Sequence, residues 1–247
     1  KRVAGGRGKY KLVASDSGQV AVVNASPQER LQSITGLVGC TIEGDLRRSG
    51  RISVVVLSQG QDSTTNVVDI LSEVSKNPDF VAHSGLQDLL ESSDIVKVMS
   101  NCSKASDALL HLHGVKLCNV WDVGVVGQLL NPNGSKSDLL DSGSVYRSDK
   151  LDSGRVMAIM KSERPQSIWE ARPLQARMLD AATRHCSSLV ATASEQASLL
   201  SSELEAMVRD RCEQEVCRLR GRAAIGVAGL RPGEVVRYKI EDGDLHL

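Results

Sequence analysis

The chain has 247 residues with 30 basic and 30 acidic side chains, so its formal net charge is zero. That length holds one medium domain plus a small extra element, and the neutral balance excludes a binder that is basic all over, leaving a local basic patch as the only electrostatic route to nucleic acid. Two Trp, three Tyr and one Phe beside 41% hydrophobic residues imply an aliphatic core and argue against stacking bases on an aromatic platform.

Residues 1–8 are rich in Gly and Arg and read as loose. Tyr10 to Ser15 and Gln19 to Asn24 read as two strands joined by a turn at Asp16-Ser17-Gly18. They suit either a small Sm-like barrel or a plain hairpin docked on a larger domain. Pro27 to Ser33 reads as a short helical linker. From Gly36 an α/β pattern begins, with strands expected over 37–42, 52–58 and 66–70, a helix from Leu86 to Ser92 and a strand from Ile95 to Met99. A helix follows from Lys104 to His113 with Ser103 as its N-cap, then a strand from Val115 to Val120 and a helix from Val123 to Leu130.

Residues 131–153 are rich in Ser, Asp, Gly and Asn and read as a loop. Gly154 to Lys161 and Pro173 to Arg184 look helical. Cys186 to Arg220 contains no Gly or Pro and spaces Leu189, Ala193, Ala197, Leu200, Leu204 and Met207 as one long helix or two short ones would. Its apolar stripe completes the domain's own core or pairs with a second copy. Gly221 to Gly233 reads as a linker, Glu234 to Ile240 as a last strand and Glu241 to Asp244 as a turn. The expected organisation is a small β element and linker over 1–35, a main domain over 36–220 and a C-terminal linker and strand over 221–247.

Six Cys (Cys40, Cys102, Cys118, Cys186, Cys212, Cys217) are scattered without zinc-type spacing. Reduced thiols in a cytoplasmic protein are the simplest expectation. No run is long and apolar enough to span a bilayer, no signal peptide is visible, and an opening at Lys1 suits a piece of a longer protein. The five His show no metal-binding spacing, and no Walker, G-x-G-x-x-G or G-x-S-x-G motif is present.

The apolar run Gly36 to Ile42 followed by Glu43-Gly44, the turn Leu46 to Arg51 and a second apolar run from Ile52 to Leu57 resemble the first two strands of a DEDD-type 3′–5′ exonuclease domain. The similarity continues through Gly85 to Cys102, through Gly114 to Asp122, and through Trp169 to Leu174 and Leu179 to Arg184. It covers roughly residues 36–200 and is strongest toward the Egalitarian-like, piRNA-pathway branch of that family. The resemblance implies a ribonuclease-H-like α/β fold, a mixed sheet flanked by helices with small β additions at both ends.

Members of that family hydrolyse RNA or DNA with two Mg²⁺ ions held about 4 Å apart by four acids. Carried over residue by residue, the resemblance puts Thr41 and Glu43 at the first two acid positions, Ala105 at the third and Arg184 at the fourth. Asp180 falls at a family Tyr and Ser100 at a family His. A slip of two residues lets Asp107 serve in place of Ala105. With three of four acids replaced, the expectation is a chain that is not an enzyme, holds no metal or other cofactor, and keeps Arg184 against Glu43, Asp180 or both.

The expected function is that of a catalytically inactive RNA-binding adaptor in a small-RNA (piRNA) biogenesis complex, homodimeric, with single-stranded RNA and other proteins as partners and no membrane contact. Arg47, Arg48, Arg51, Lys97, Lys104, Arg172 and Arg177 are the expected RNA contacts, against the alternative that they are solvated surface charges. A divergent exonuclease with residual metal-dependent activity and a protein scaffold without RNA are the other two readings.

Overall fold

A computed structural model describes residues 13–15, 18–23, 31–60, 63–132, 168–220, 239–241 and 244–246. In chain order the elements are β1 (Val13–Ser15), β2 (Gly18–Val23), β3 (Leu37–Asp45), β4 (Arg51–Ser58), β5 (Thr65–Val68), α1 (Ile70–Val74), α2 (Phe80–His83), α3 (Leu86–Glu91) and β6 (Val96–Met99). They continue with α4 (Cys102–His113), β7 (Val120–Asp122), α5 (Val123–Leu130), α6 (Ala176–Ser198), α7 (Ser202–Cys217), β8 (Lys239–Glu241) and β9 (Asp244–His246).

The main sheet runs β1-β2-β5-β4-β3-β6-β7. β3, β4 and β5 pair antiparallel as an apolar meander. β6 and β7 join parallel to β3 through helical crossovers, as parallel strands require. The expected mixed α/β sheet flanked by helices is the observed architecture. The N-terminal strands pair with each other, and β2 runs parallel to β5, so they extend the edge of the main sheet. β8 and β9 form a separate two-stranded hairpin.

Both faces of the central strands are covered, which is why β3 and β4 read as nearly continuous apolar runs. On β3, Val38, Cys40 and Ile42 pack into the larger core with Leu86, Leu90 and Leu109 of the helices on that side. The alternate residues Gly39, Thr41 and Glu43 belong to the other face. There, Val54 and Val56 of β4 pack with Met178, Ala182 and Cys186 of α6. Ser53 is the extra residue of a β-bulge: Glu43 pairs with Val54 but Gly44 pairs with Ile52. Gly44 sits there at φ 143°, and a Cβ would lie 2.7 Å from the amide nitrogen of Ser53. Only glycine fits that position.

Several boundaries differ from the sequence expectation. The strand expected over 66–70 stops at Val68, because Asp69 turns to cap α1, accepting a hydrogen bond from the Ser72 amide at 3.0 Å. α1 and α2, with five and four residues, were not expected. Residues 115–119 form no strand, although Val115 and Leu117 are buried. Their backbone is bonded elsewhere: the Lys116 amide donates to Glu91 Oε1 and the Leu117 carbonyl accepts from Arg220. α4 is capped by Asn101 at φ 57° rather than by Ser103. The stretch from Cys186 onward is two helices, broken at Leu199, with Ser201 Oγ accepting from the Leu204 amide to open α7. Of its proposed stripe, Leu189 and Ala193 are buried while Met207 is 51% exposed; α7 buries Val208, Cys212 and Val216 instead. The helix expected over Gly154–Lys161, and nearly all of the loop over 131–153, lie outside the described residues. No described helix is long and apolar enough to cross a membrane.

α6 crosses β3 at Gly39, where a Cβ would run into the carbonyl group of Cys186. Gly39→Ala is therefore expected to push the helix off the sheet and to cost about 1–3 kcal/mol, measured as a lowered urea midpoint with an unchanged slope.

Candidate functional site

A cavity of about 700 Å³ opens where the C-terminal ends of β3 and β6 meet the start of α4 and the middle of α6. Thr41, Glu43 and Asp45 enter it from β3, and Arg47 from the turn that follows. Ser100, Asn101, Lys104 and Ala105 enter from the β6–α4 junction. Trp169, His185 of α6 and Leu219 close it. Three distant segments are thus brought together at one cavity.

Local chemistry fixes each wall. Asp122 anchors the α4 side: its Oδ2 accepts from the Cys102 amide at 2.7 Å, while Oδ1 caps α5 through Gly124 and Val125. One buried carboxylate so satisfies the first amides of two helices. On the β3 side, Arg47 binds Asp45 through two N–H groups at 2.8 and 2.6 Å. That hydrogen-bonded cation holds the Asp45 carboxyl below its ordinary range. Glu43 is buried, at 6% exposure, and Thr41 nearly as much, at 8%. Thr41 Oγ1 is shut off from solvent against the Cys186 thiol. All six thiols are free. Burial pushes Cys40 up to about 12 and Cys212 up to about 11, so these are inert packing groups rather than nucleophiles.

Of the degenerate catalytic positions, Thr41, Glu43 and Ala105 line the cavity. Asp180 and Arg184 pair with each other one helical turn apart, at 2.6 Å, with Arg184 41% exposed. The expected Arg184–Asp180 contact exists, but it is His185, the next residue, that lines the cavity. The helical phase explains this: Ala181, Ala182 and Cys186 are buried in α6 and leave Arg184 on its outer side. Asp107 does not serve in the cavity. It is gripped by Arg48 through two bonds at 2.9 and 3.0 Å, and His111 Nε2 lies 3.4 Å away.

The expected RNA contacts divide sharply. Arg47 and Lys104 line the cavity, and Arg51 is exposed beside Glu170 at 3.6 Å. Arg48 is a staple, donating also to the Leu219 carbonyl at 2.8 Å. Arg172 is a second staple, holding Asp69 at 2.5 Å and donating to the carbonyls of Trp169 and Ser53. Lys97 is wholly buried and donates to the Ser92 carbonyl at 2.5 Å. These three are corrected from RNA contacts to structural groups, because their polar heads are consumed inside the fold. Arg177 belongs to α6, and its side chain lies outside the described residues. Sequence reasoning missed His185 and Trp169 as cavity residues. The apolar phase of α6, set by Met178, Ala182 and Leu189, is the signal that puts His185 rather than Arg184 on the inner side.

A pair of Mg²⁺ ions requires several hard oxygen ligands. Here the cavity offers the carboxylates of Glu43 and Asp45, the latter already bound by Arg47, with no carboxylate at Thr41 or Ala105. Among the described residues no three His, Cys, Asp or Glu side chains stand together as a metal site. This donor set does not match a four-acid cage for two Mg²⁺ ions.

The chain matches no protein-family model and no curated protein. Its fold matches solved exonuclease structures. Trypanosoma brucei RNase D in complex with GMP is similar over 89% of this chain and 69% of that one, with 22% identity and a TM-score of 0.68. The same enzyme in complex with RNA U12 is similar over 90% and 77%, with 22% identity and a TM-score of 0.62. Escherichia coli RNase D, an exoribonuclease involved in structured RNA processing, is similar over 81% of this chain and 49% of that one, with 17% identity and a TM-score of 0.57. The fold is therefore that of the RNase D-type exonucleases. The expectation that the chain is not an enzyme is corrected by this finding. That expectation rested on counting acids, whereas the fold is one in which solved exoribonucleases are built.

Burial lowers the Lys97 ammonium from its ordinary 10.5, with Cys118 and Cys40 acting the other way. Between the lowered value and 10.5 the unfolded chain holds a proton that the folded one lacks, so this site's contribution to stability rises with pH across that window. Lys97→Met should be at least as stable as the parent at pH 7 and should lack that alkaline gain. Urea denaturation of both proteins over a pH series checks it.

Proposed function

We propose that this chain is an RNA-binding domain of the 3′–5′ exonuclease type that receives the end of a single-stranded RNA in the cavity at Thr41, Glu43, Lys104 and His185. The carrying observation is the convergence of three distant segments on one cavity in an exonuclease fold, with Arg47 and Lys104 at it and Arg51 exposed on the strand that follows Arg47. Positive groups at a concave site supply phosphate contacts even when the whole chain is neutral. Solved T. brucei RNase D carries GMP or RNA U12 in the structures it resembles, which supports RNA as the ligand class. The sequence resemblance adds a finer role to the proposal: a homodimeric cytoplasmic adaptor that joins RNA to protein partners in a small-RNA pathway such as piRNA biogenesis.

Lys104→Gln should weaken binding of a labelled oligoribonucleotide to a similar degree for all sequences, and should reduce the slope of log affinity against log salt by about one. Fluorescence anisotropy over a salt series measures both. Arg48→Gln should instead act mainly by destabilising the fold. Equal affinity and slope in Lys104→Gln and parent would move the RNA face elsewhere.

The second reading is metal-dependent shortening of the RNA from its 3′ end, favoured by the fold itself and by Glu43 in the cavity. On that reading Mn²⁺ or Mg²⁺ yields a ladder of shortened products from an end-labelled RNA, and Glu43→Gln abolishes it. An intact substrate after prolonged incubation would leave binding as the activity of this site.

A further inference from the structure

Away from the RNA cavity, one surface joins exposed apolar side chains to charges of both signs. α5 and α7 flank a groove of about 910 Å³, with Val125 and Leu129 on one wall and Leu204, Met207 and Arg211 on the other. It shares no lining residue with the RNA cavity. Beneath it, Val126, Val208 and Cys212 form a small apolar cluster on which Val125, Leu129 and Leu200 pack. Because α7 turns Val208, Cys212 and Val216 inward, Met207 is left on its outer side, 51% exposed. Leu199, at the break between α6 and α7, is 64% exposed. No other large apolar side chain among the described residues is exposed.

The charges of α7 decide what fits there. Glu203 and Arg211 stand one helical turn before and after Met207 on the same face, and all three are exposed. Arg211 donates one N–H to Gln214 of its own helix at 3.2 Å and has others to give. The order acid, apolar, base becomes base, apolar, acid when the helix is reversed. A second α7 laid antiparallel, with Met207 against Met207, therefore sets each Glu203 level with the Arg211 of the other copy. A parallel alignment in the same register sets like charges together instead. A surface complementary to its own reversed copy is what a two-fold interface requires. Exposed ion pairs add little affinity. They select the orientation here, and burial of Met207, Leu204 and Leu129 supplies the attraction.

We propose that the groove between α5 and α7 is where a second copy of this chain docks, its α7 antiparallel to this one and cross-paired through Glu203 and Arg211. The inference rests on the homodimeric part of the proposed function, for which it supplies the surface. It does not depend on the RNA reading.

The test is the molar mass of the full chain by light scattering at micromolar concentration. The parent should have the mass of two copies. Glu203→Arg and Arg211→Glu each set like charges together at both ends of the contact, so each should have the mass of one copy. An equal mixture of the two variants restores opposite charges at both ends and should return to the mass of two. That recovery also shows that the single variants are folded. Two-copy mass in both single variants and in Met207→Glu would overturn this surface and leave the homodimeric reading in place. Single-copy mass in the equal mixture would overturn the antiparallel pairing. Single-copy mass in the parent would overturn both this inference and the homodimeric reading, and leave RNA binding untouched.

Discussion

The close approach of α6 to β3 at Gly39 is the constraint on which the site depends. A hydrogen where other residues carry a Cβ lets the Cys186 carbonyl settle against the strand. Cys186 then packs among Val54, Val56 and Met178, and its thiol donates to the Val56 carbonyl at 3.2 Å. His185, one residue earlier, is carried by the same contact to the cavity that Thr41 and Glu43 line. A bulkier residue at position 39 would move the whole helix, and with it the third wall of the cavity. The position is therefore a packing position with a functional consequence.

The second organising feature is the use of arginine inside the fold. Arg48 joins the turn after β3 to Asp107 on α4 and to the carbonyl of Leu219. Arg220 joins Ser106 and the Leu117 carbonyl, and Arg218 donates to Ser103. Ser106 in turn donates to the Val216 carbonyl at 2.7 Å. The end of α7 is thereby strapped along α4, and Leu219 becomes part of the cavity wall. Planar guanidinium groups suit this task because each can bind a carboxylate and a carbonyl at once. A chain with equal numbers of acids and bases can spend several of them in such pairs, which is why position beside a motif was a poor guide to which cations remain at the surface.

The fold was legible where the chemistry is periodic. The strands around 40, 55 and 97 stand out as apolar runs because both faces of the sheet are covered, and α5 begins where expected because Asp122 caps it. α1 and α2 were not legible, since four or five residues are too few for a helical period to show. Residues 115–119 misled because burial was read as strand: their apolar side chains enter the core while Arg220 and Glu91 take their backbone groups. In the site, Thr41, Glu43 and Ala105 reach the cavity from a strand and a helix start that the flanking apolar runs make legible. The α6 wall was displaced by one residue because it was set by matching a motif, not by the helical phase that Ala182, Cys186 and Leu189 define. Lys97 lies beside Val98 and Met99 on a central strand covered on both faces, and that coverage rather than alternation buries it.

The cavity lies at element ends, and its lining shares Cys40, Ile42, Met99 and Ala105 with the larger core while its charged groups stand apart from that packing. Val38, Cys40 and Ile42 keep β3 in the larger core from the opposite face, Ala108 and Leu109 hold α4, and Cys186 holds α6. Thr41 lines the cavity from β3 and lies against Cys186, and Ala105 belongs both to the lining and to the larger core. A carboxylate at either position would add charge beside the buried Glu43 and require a cation to balance it. A hydroxyl and a methyl group there remove that requirement. They leave Lys104 and Arg47 as the cationic counterweight to Glu43 and Asp45. Chemistry at this site is thus set by a few side chains on a scaffold that other residues maintain, so the exonuclease fold and the chemistry of its cavity must be argued from different residues.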